Sequence, residues 1–250
     1  MELERVGEAM VLRMRAGKAN AINPAFLDRM NSLLDDALAA RARALVITGY
    51  DSFFSAGLDL PALDALDERA MGAFMTGFSR TMLRLFELPL PVVAAVNGHA
   101  IAGGCVLALQ ADVRIGAGSD LRIGLNEVQL GIGLPYLVLE TLRAQVSPPS
   151  LLPIAQEGRL FSPDEAAAVG LLHEVVPPDQ FEQRALGRAM ELGTLPSAAF
   201  GAVKLGLRSP VGQRIRELQE QDAGRWTQLW SSDEGRERRR RAIERLTRKK

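Results

Sequence analysis

Two short runs, Ala44-Leu45-Val46-Ile47-Thr48 and Val92-Val93-Ala94-Ala95-Val96, carry no charged side chain and show no alternation of polar with apolar residues. A strand with one face in water alternates. A strand with no polar face is covered on both sides, as in a parallel sheet between layers of helix. Each run is followed by a glycine-containing loop and then by helical sequence, so the chain crosses back over the sheet between strands by right-handed β–α connections. The same feature limits where a ligand can bind, because in open α/β sheets the crevice lies beyond the carboxyl ends of the parallel strands.

The flanking sequence fills in the plan. Val6–Met14 reads as a strand through Val6, Met10, Leu12 and Met14, and 18–23 as a loop. Pro24 suits the first turn of a helix running through Ala40, with Phe26, Leu27, Met30, Leu33, Leu34, Ala37 and Leu38 on the helical period. A loop over 51–59 leads into helical sequence as far as Glu87, stopped by Pro89 and Pro91. Residues 97–104 form a glycine-rich turn opening another helix, and 113–116 and 121–123 read as further strands. From Pro135 onward the text is mostly helical, broken by prolines at 148–149, 163, 177–178 and 196. This predicts an α/β core over residues 1–195 and a helical region over 196–250.

Composition narrows the partners. Lys+Arg and Asp+Glu are 30 each, so no global field favours nucleic acid or an anionic membrane. The single cysteine, Cys105, allows no internal disulfide and fits a reducing compartment. The N-terminal stretch is acidic and unlike a signal peptide, and no run reaches the roughly 18 apolar residues of a spanning helix. The expectation is a cytoplasmic protein that engages neither nucleic acid nor membrane.

Chemistry is approached by elimination. His99 and His173 are too few for a typical zinc site, so no metal is expected, and there is no G-x-S-x-G elbow or P-loop. Gly116-Ala117-Gly118 reads as a turn between strands. Two other turns follow the buried strands: Phe54-Ser55-Ala56-Gly57-Leu58-Asp59-Leu60 and Asn97-Gly98-His99-Ala100-Ile101-Ala102-Gly103-Gly104-Cys105. Both are either plain tight turns or two backbone N–H donors brought to one ligand oxygen, which would stabilise a developing enolate. Glu127 lies in the neutral, mostly apolar stretch 123–131, and is either a surface residue or a base whose pKa is raised by burial. Cys105 has no recognisable base and reads as a small buried hydrophobe.

The ordered blocks NAIN (20–23), FSAGLDL (54–60), NGHAIAGG (97–104), IGLNEVQLG (123–131) and GLLHEVVP (170–177) resemble the enoyl-CoA hydratase/isomerase, or crotonase, superfamily over essentially the whole chain. Within it they look most like the mitochondrial-type Δ3-Δ2-enoyl-CoA isomerases. The resemblance implies a spiral of β-β-α units, a C-terminal helical trimerisation region, homotrimers or dimers of trimers, and an acyl-CoA thioester substrate of fatty-acid metabolism. Coenzyme A is then part of the substrate, and no separate cofactor is implied.

Carried over by position, the oxyanion donors are the N–H groups of Leu58 and Gly103, and the catalytic carboxylate is Glu127. Contacts with the substrate fall on Lys18, Asn20, Ala21, Ile22, Ser55, Ala56, Gly57, Asp59, Leu60 and Gly104. Hydratases of the family resemble one another in having two glutamates, and the position of the first is Val106 here, an aliphatic that neither orients water nor moves a proton. That departure favours double-bond migration, from 3-enoyl-CoA to 2-enoyl-CoA, over hydration. The alternatives are a hydratase or another crotonase-type lyase or hydrolase, and an acyl-CoA binding protein with weak or no turnover. Of the remaining features, Asp59 is expected to cap or brace its loop and His99 to pack. Trp226 and Trp230 are expected at a subunit contact. The basic cluster 236–250 is expected to form a solvated terminal helix, some of whose cations reach coenzyme A phosphates across a subunit boundary.

Overall fold

The computed structural model describes residues 1–248, without the side chains of 220–223 and 246–248, so the last two lysines of the basic cluster lie outside the described residues. The chain opens with β1 (Glu2–Val6) and β2 (Ala9–Arg13), paired antiparallel with Val6 opposite Ala9. The strand expected over Val6–Met14 is therefore β2 with the turn before it, and β1 is an additional strand. Gly7, at φ +60°, supplies the left-handed backbone that a two-residue turn needs.

The two uncharged runs are β3 (Ala44–Thr48) and β5 (Val92–Val96), buried at every position as their lack of a polar face requires. With β7 (Val113–Ala117) and β9 (Glu174–Val176) they complete a sheet of order β1-β2-β3-β5-β7-β9, parallel from β2 onward. Gly116 and Ala117 thus belong to a strand and not to a turn, and the Gly118 N–H donates to the Val176 carbonyl at 2.7 Å. Helix α1 (Pro24–Ala39) starts at Asn23, whose side chain caps the Phe26 N–H at 3.0 Å. Its apolar stripe is buried as predicted except for Leu38, which is exposed.

Three very short strands follow, β4 (Phe53–Ser55) and β6 (His99–Ile101) inside expected loops and β8 (Ile123–Gly124) at the end of the strand expected over 121–123. They form a second parallel sheet of order β4-β6-β8. The spiral is now visible, because each turn runs through a strand of the large sheet, a strand of the small sheet, then a helix. After β4 come α2 (Leu60–Asp64) and α3 (Glu68–Phe86), so the helix expected to run unbroken to Glu87 is split in two. After β6 comes α4 (Gly103–Leu109), and after β8 a single 3₁₀ turn, Glu127–Leu130. Asn97 fastens the two sheets where β3 and β5 leave the first. Its Oδ1 accepts from the Gly49 N–H at 2.8 Å and its Nδ2 donates to the Asp51 carbonyl at 3.1 Å.

The second half is helical: α5 (Tyr136–Gln145), α6 (Pro163–Ala168), α7 (Phe181–Gly193), α8 (Ser197–Ser231) and α9 (Asp233–Arg248). Helix α7 lies across β2, β3, β5 and β7. Helix α8 begins immediately after Pro196 and is tied to the body by buried charge. Asp112 accepts from Lys204 Nζ at 2.6 Å and from Arg208 Nη2 at 2.8 Å, and it also takes the Val92 N–H at 2.8 Å. The Arg208 guanidinium lies over the Phe86 ring at 4.3 Å. Removing the carboxylate leaves the two buried cations with backbone carbonyls but without their counter-charge, which is costly.

Candidate active site

Because β4, β6 and β8 are parallel and adjacent, their carboxyl ends meet at one edge. The residues leaving that edge are the three singled out by sequence: Leu58 after β4, Gly103 after β6 and Glu127 after β8.

The first loop is held by hydrogen bonds that leave one N–H over. Ile22 N donates to the Gly57 carbonyl at 2.7 Å and Asp59 N donates to the Ile22 carbonyl at 2.9 Å. In a parallel bridge of this kind the residue between, Leu58, turns its own N–H the other way. The second loop delivers Gly103 as the first residue of α4, where N–H groups have no partner within the helix. Ala102 just before it is held at φ 51°, ψ −121°, a conformation that costs a residue with a Cβ about 1 to 3 kcal/mol. It is pinned there because its N–H donates to the Gly124 carbonyl at 2.8 Å and its carbonyl accepts from Val106 N at 3.0 Å.

The two loops approach more closely than side chains permit. A Cβ on Gly57 would lie 2.9 Å from Gly103 N and 2.6 Å from the Ile101 carbonyl oxygen. A Cβ on Gly103 would lie 3.4 Å from Leu58 N, and one on Gly104 only 2.1 Å from the Ser55 carbonyl oxygen. The glycines therefore serve close approach, and they bring the Leu58 and Gly103 N–H groups to the same place.

Glu127 opens its 3₁₀ turn, which Gly131 ends at φ 70°. The carboxyl group is buried, and Oε2 has no hydrogen-bond partner among the described residues. Burial pushes its pKa from the ordinary 4.5 up to about 7, against a smaller lowering by its own backbone N–H. Cys105 is fully buried, and burial together with the nearby Glu127 charge drives its thiol pKa up, so it is no nucleophile.

A cavity of about 1150 Å³ opens onto these groups. Lys18, Ala21, Ala56, Leu58, Asp59, Leu60, Gly103 and Glu127 line it, as does Val106. Asn20, Ile22, Ser55, Gly57 and Gly104 stand behind the lining and build it. Asn20 accepts from Ala16 N at 2.8 Å and donates to the Phe54 carbonyl at 3.0 Å, while Ser55 Oγ donates to the Asn20 carbonyl at 2.8 Å. Asp59 caps α2 through the Ala62 N–H at 3.3 Å and accepts from Asn23 Nδ2 at 3.1 Å, the bracing role expected of it. That leaves Glu127 as the lining carboxylate without such duties.

Sequence reasoning did not name several lining residues. Met75 and Phe78 of α3, Val138 of α5 and Trp226 of α8 make the cavity apolar on one side. Trp226 stacks on Trp230 inside this chain, which corrects the expectation of a subunit contact. His99 is also a lining residue, with Nδ1 accepting from Arg122 N at 2.9 Å. Arg238, Arg241 and Arg245 of α9 line the cavity of their own chain, joined by Arg15, Lys18, Arg29 and Arg122. Among the described residues, seven lining Lys and Arg side chains face two lining carboxylates, in a chain with no net charge. Among the described residues no group of His, Cys, Asp and Glu is arranged to hold a metal ion, and no helix is long and apolar enough to cross a membrane.

Known proteins resemble this chain in sequence and fold. A family model described as enoyl-CoA hydratase/isomerase matches residues 7–249. The human protein named enoyl-CoA delta isomerase 1, mitochondrial, is 30% identical over 226 residues, covering 89% of this chain and 75% of its own. A Thermus thermophilus protein named putative enoyl-CoA hydratase is 32% identical over 198 residues, 77% of each chain. The crystal structure of human mitochondrial delta3-delta2-enoyl-CoA isomerase superposes with a TM-score of 0.95 at 29% identity, covering 100% of this chain and 98% of the other.

Proposed function

The chain belongs to the enoyl-CoA hydratase/isomerase family, and from that premise we propose that it moves the double bond of a 3-enoyl-CoA into conjugation, giving the 2-enoyl-CoA. The observation that carries this reading is a pair of side chains in one cavity. Glu127 is a buried carboxylate with a raised pKa, and Val106 is aliphatic where a second acid would be needed to add water.

The thioester oxygen accepts hydrogen bonds from the N–H groups of Leu58 and Gly103, which strengthen as negative charge develops on it. Each such donor contributes roughly 10² to 10³ in rate. Glu127 takes a proton from C2, the electrons pass to the thioester as a dienolate, and the same carboxyl group returns the proton at C4. A base with a pKa of about 7 is suited to both halves of this transfer near neutral pH. The cationic part of the lining, including Lys18, Arg15 and the arginines of α9, suits the phosphates of coenzyme A, and Ala21, Ala56 and Leu60 line the same path.

Hydration is the second reading, favoured by one observation. Asn126 lines the cavity beside Glu127, and its buried Oδ1 has no hydrogen-bond partner among the described residues, so it offers a place to hold a water. We also infer that copies of the chain associate as a trimer or a dimer of trimers, since α8 exposes Val203 at 64% and Leu207 at 74%. A monomer in sedimentation would refute that. The active-site assignment is tested with Glu127→Gln. Turnover should fall by roughly 10² to 10⁴ while a saturated acyl-CoA still binds. Turnover close to that of the wild type would overturn the reading.

A further inference from the structure

The cavity lining includes one member of a stack of side chains that proton transfer does not use. Trp226 lines the cavity and is 4% exposed. Its ring stacks on Trp230 one turn later, with centroids 5.0 Å apart and planes at 20°. Behind Trp230 sits Arg239 of α9, its guanidinium carbon 3.8 Å from the ring centroid. Arg239 is itself buried. Its Nη1 donates to the Trp230 carbonyl at 2.6 Å, and its Nη2 pairs at 3.4 Å with Asp64, the last residue of α2. Two indoles and a guanidinium, drawn from α8 and α9, are thus clamped to the helix that follows the Leu58 loop.

Such a stack is a stiff plate. Indoles have few rotatable bonds, and both faces of Trp230 are covered, so Trp226 has little room to swing aside. Met75, Phe78, Pro135 and Val138 also line the cavity, at helices α3 and α5 that both pack against α8. None of their side chains carries a hydrogen-bonding group for a polar substituent, so the space between them and the plate suits an unfunctionalised alkyl chain.

We propose that Trp226, backed by Trp230 and Arg239, is the end wall of the acyl slot and sets the longest acyl chain that the slot buries. This rests on the acyl-CoA reading above and adds to it the length determinant. Each methylene buried contributes about 0.8 kcal/mol, roughly fourfold in affinity. Affinity therefore climbs with chain length until the chain meets the wall and then levels.

The test titrates a series of saturated, unbranched acyl-CoA thioesters of increasing length into the wild type, Trp226→Phe and Trp226→Ala. In the wild type the climb of roughly fourfold per methylene should stop at a definite length. In Trp226→Ala it should continue for several further methylenes with short chains binding as before, and Trp226→Phe should level between the two. A levelling length common to all three, or a wild type that shows none, would overturn the proposal. Should circular dichroism find Trp226→Ala unfolded, Trp226→Phe decides alone, and an unshifted levelling length refutes the wall. Failure of the wild type to bind any of the thioesters would instead remove the acyl-CoA reading itself, a result distinct from an unshifted profile.

Discussion

Replacing Glu127 by glutamine should destroy the activity and stabilise the fold, and the second effect can be worked out from burial. The Glu127 pKa rises from its ordinary 4.5 to about 7 in the folded chain because the carboxylate has lost its water, and Oε2 has no partner among the described residues to replace it. The native state thus prefers the protonated form. Well below pH 4.5 the group is protonated in both the folded and the unfolded chain, and its ionisation contributes nothing. As pH rises toward 7 the unfolded chain ionises freely while the folded chain resists, so stability is lost across that window and stays lost above it. At about 1.36 kcal/mol per pKa unit, the rise from 4.5 to about 7 costs about 3 kcal/mol at pH 8. Glutamine never ionises, so Glu127→Gln escapes the cost.

The fixed difference between an amide and a neutral acid cancels when the two proteins are compared at two pH values. The measurement is urea unfolding of wild type and variant at pH 4 and pH 8. The advantage of Glu127→Gln should widen by about 3 kcal/mol between them, and each kcal/mol moves Tm by roughly 2 to 4 °C in a chain of this size. The same ionisation should appear in the wild-type pH profile, with kcat/KM rising toward a plateau through a pKa of about 7. Stability curves that run parallel for the two proteins would show that the carboxyl titrates in its ordinary range and that the desolvation argument is wrong.

Four further substitutions probe the frame around that base. Leu58→Ala should be mild because its donor is backbone, whereas Gly103→Pro removes an N–H and should lower kcat by roughly 10² to 10³; a folded, fully active Gly103→Pro enzyme would exclude that donor. Gly104→Ala places a Cβ 2.1 Å from the Ser55 carbonyl oxygen, so it should cost about 1 to 3 kcal/mol of stability and reduce kcat; unchanged values would mean the β4–α4 contact yields freely. Asp112→Ala leaves the buried Lys204 and Arg208 without their carboxylate and should cost about 3 to 5 kcal/mol; a loss within experimental error in denaturant titrations would show that α8 is not anchored there.

How much of this was legible beforehand follows from which physical signals act over short stretches of chain. Strands β3 and β5 announce themselves because both faces are buried, and α1 because its apolar residues recur at the helical period. Strands β4 and β6 have three residues each, too few for any periodicity, and lie in loops that Asn97 ties together, whereas β8 shows in the sequence only as the end of the short stretch 121–123. The β1–β2 hairpin was hidden because only Gly7 and Glu8 separate its strands, so a strand read over 6–14 takes in the turn and leaves out most of β1.

At the site, the glycine turns and the isolated Glu127 could be found in the sequence, but not the side from which each residue acts. Asn20 and Ser55 belong to the family blocks, yet they turn inward to bind backbone carbonyls and do not line the cavity. Trp226 and the arginines of α9 lie at least 99 residues beyond Glu127 in the chain. Their place on the cavity depends on how α8 and α9 fold back, a long-range packing outcome to which no local pattern points.

The central claim is that one buried carboxylate moves a proton between two carbons and no second group activates water. Product analysis of the unmodified protein tests it most directly, with a 3-enoyl-CoA and crotonyl-CoA offered separately and 2-enoyl-CoA and 3-hydroxyacyl-CoA both quantified. Conversion of the 3-enoyl-CoA to the 2-enoyl-CoA with little 3-hydroxyacyl-CoA from either substrate is the result predicted from Glu127 and Val106. Faster hydration of crotonyl-CoA than isomerisation of the 3-enoyl-CoA would contradict it, and would direct attention to Asn126 as the holder of the water.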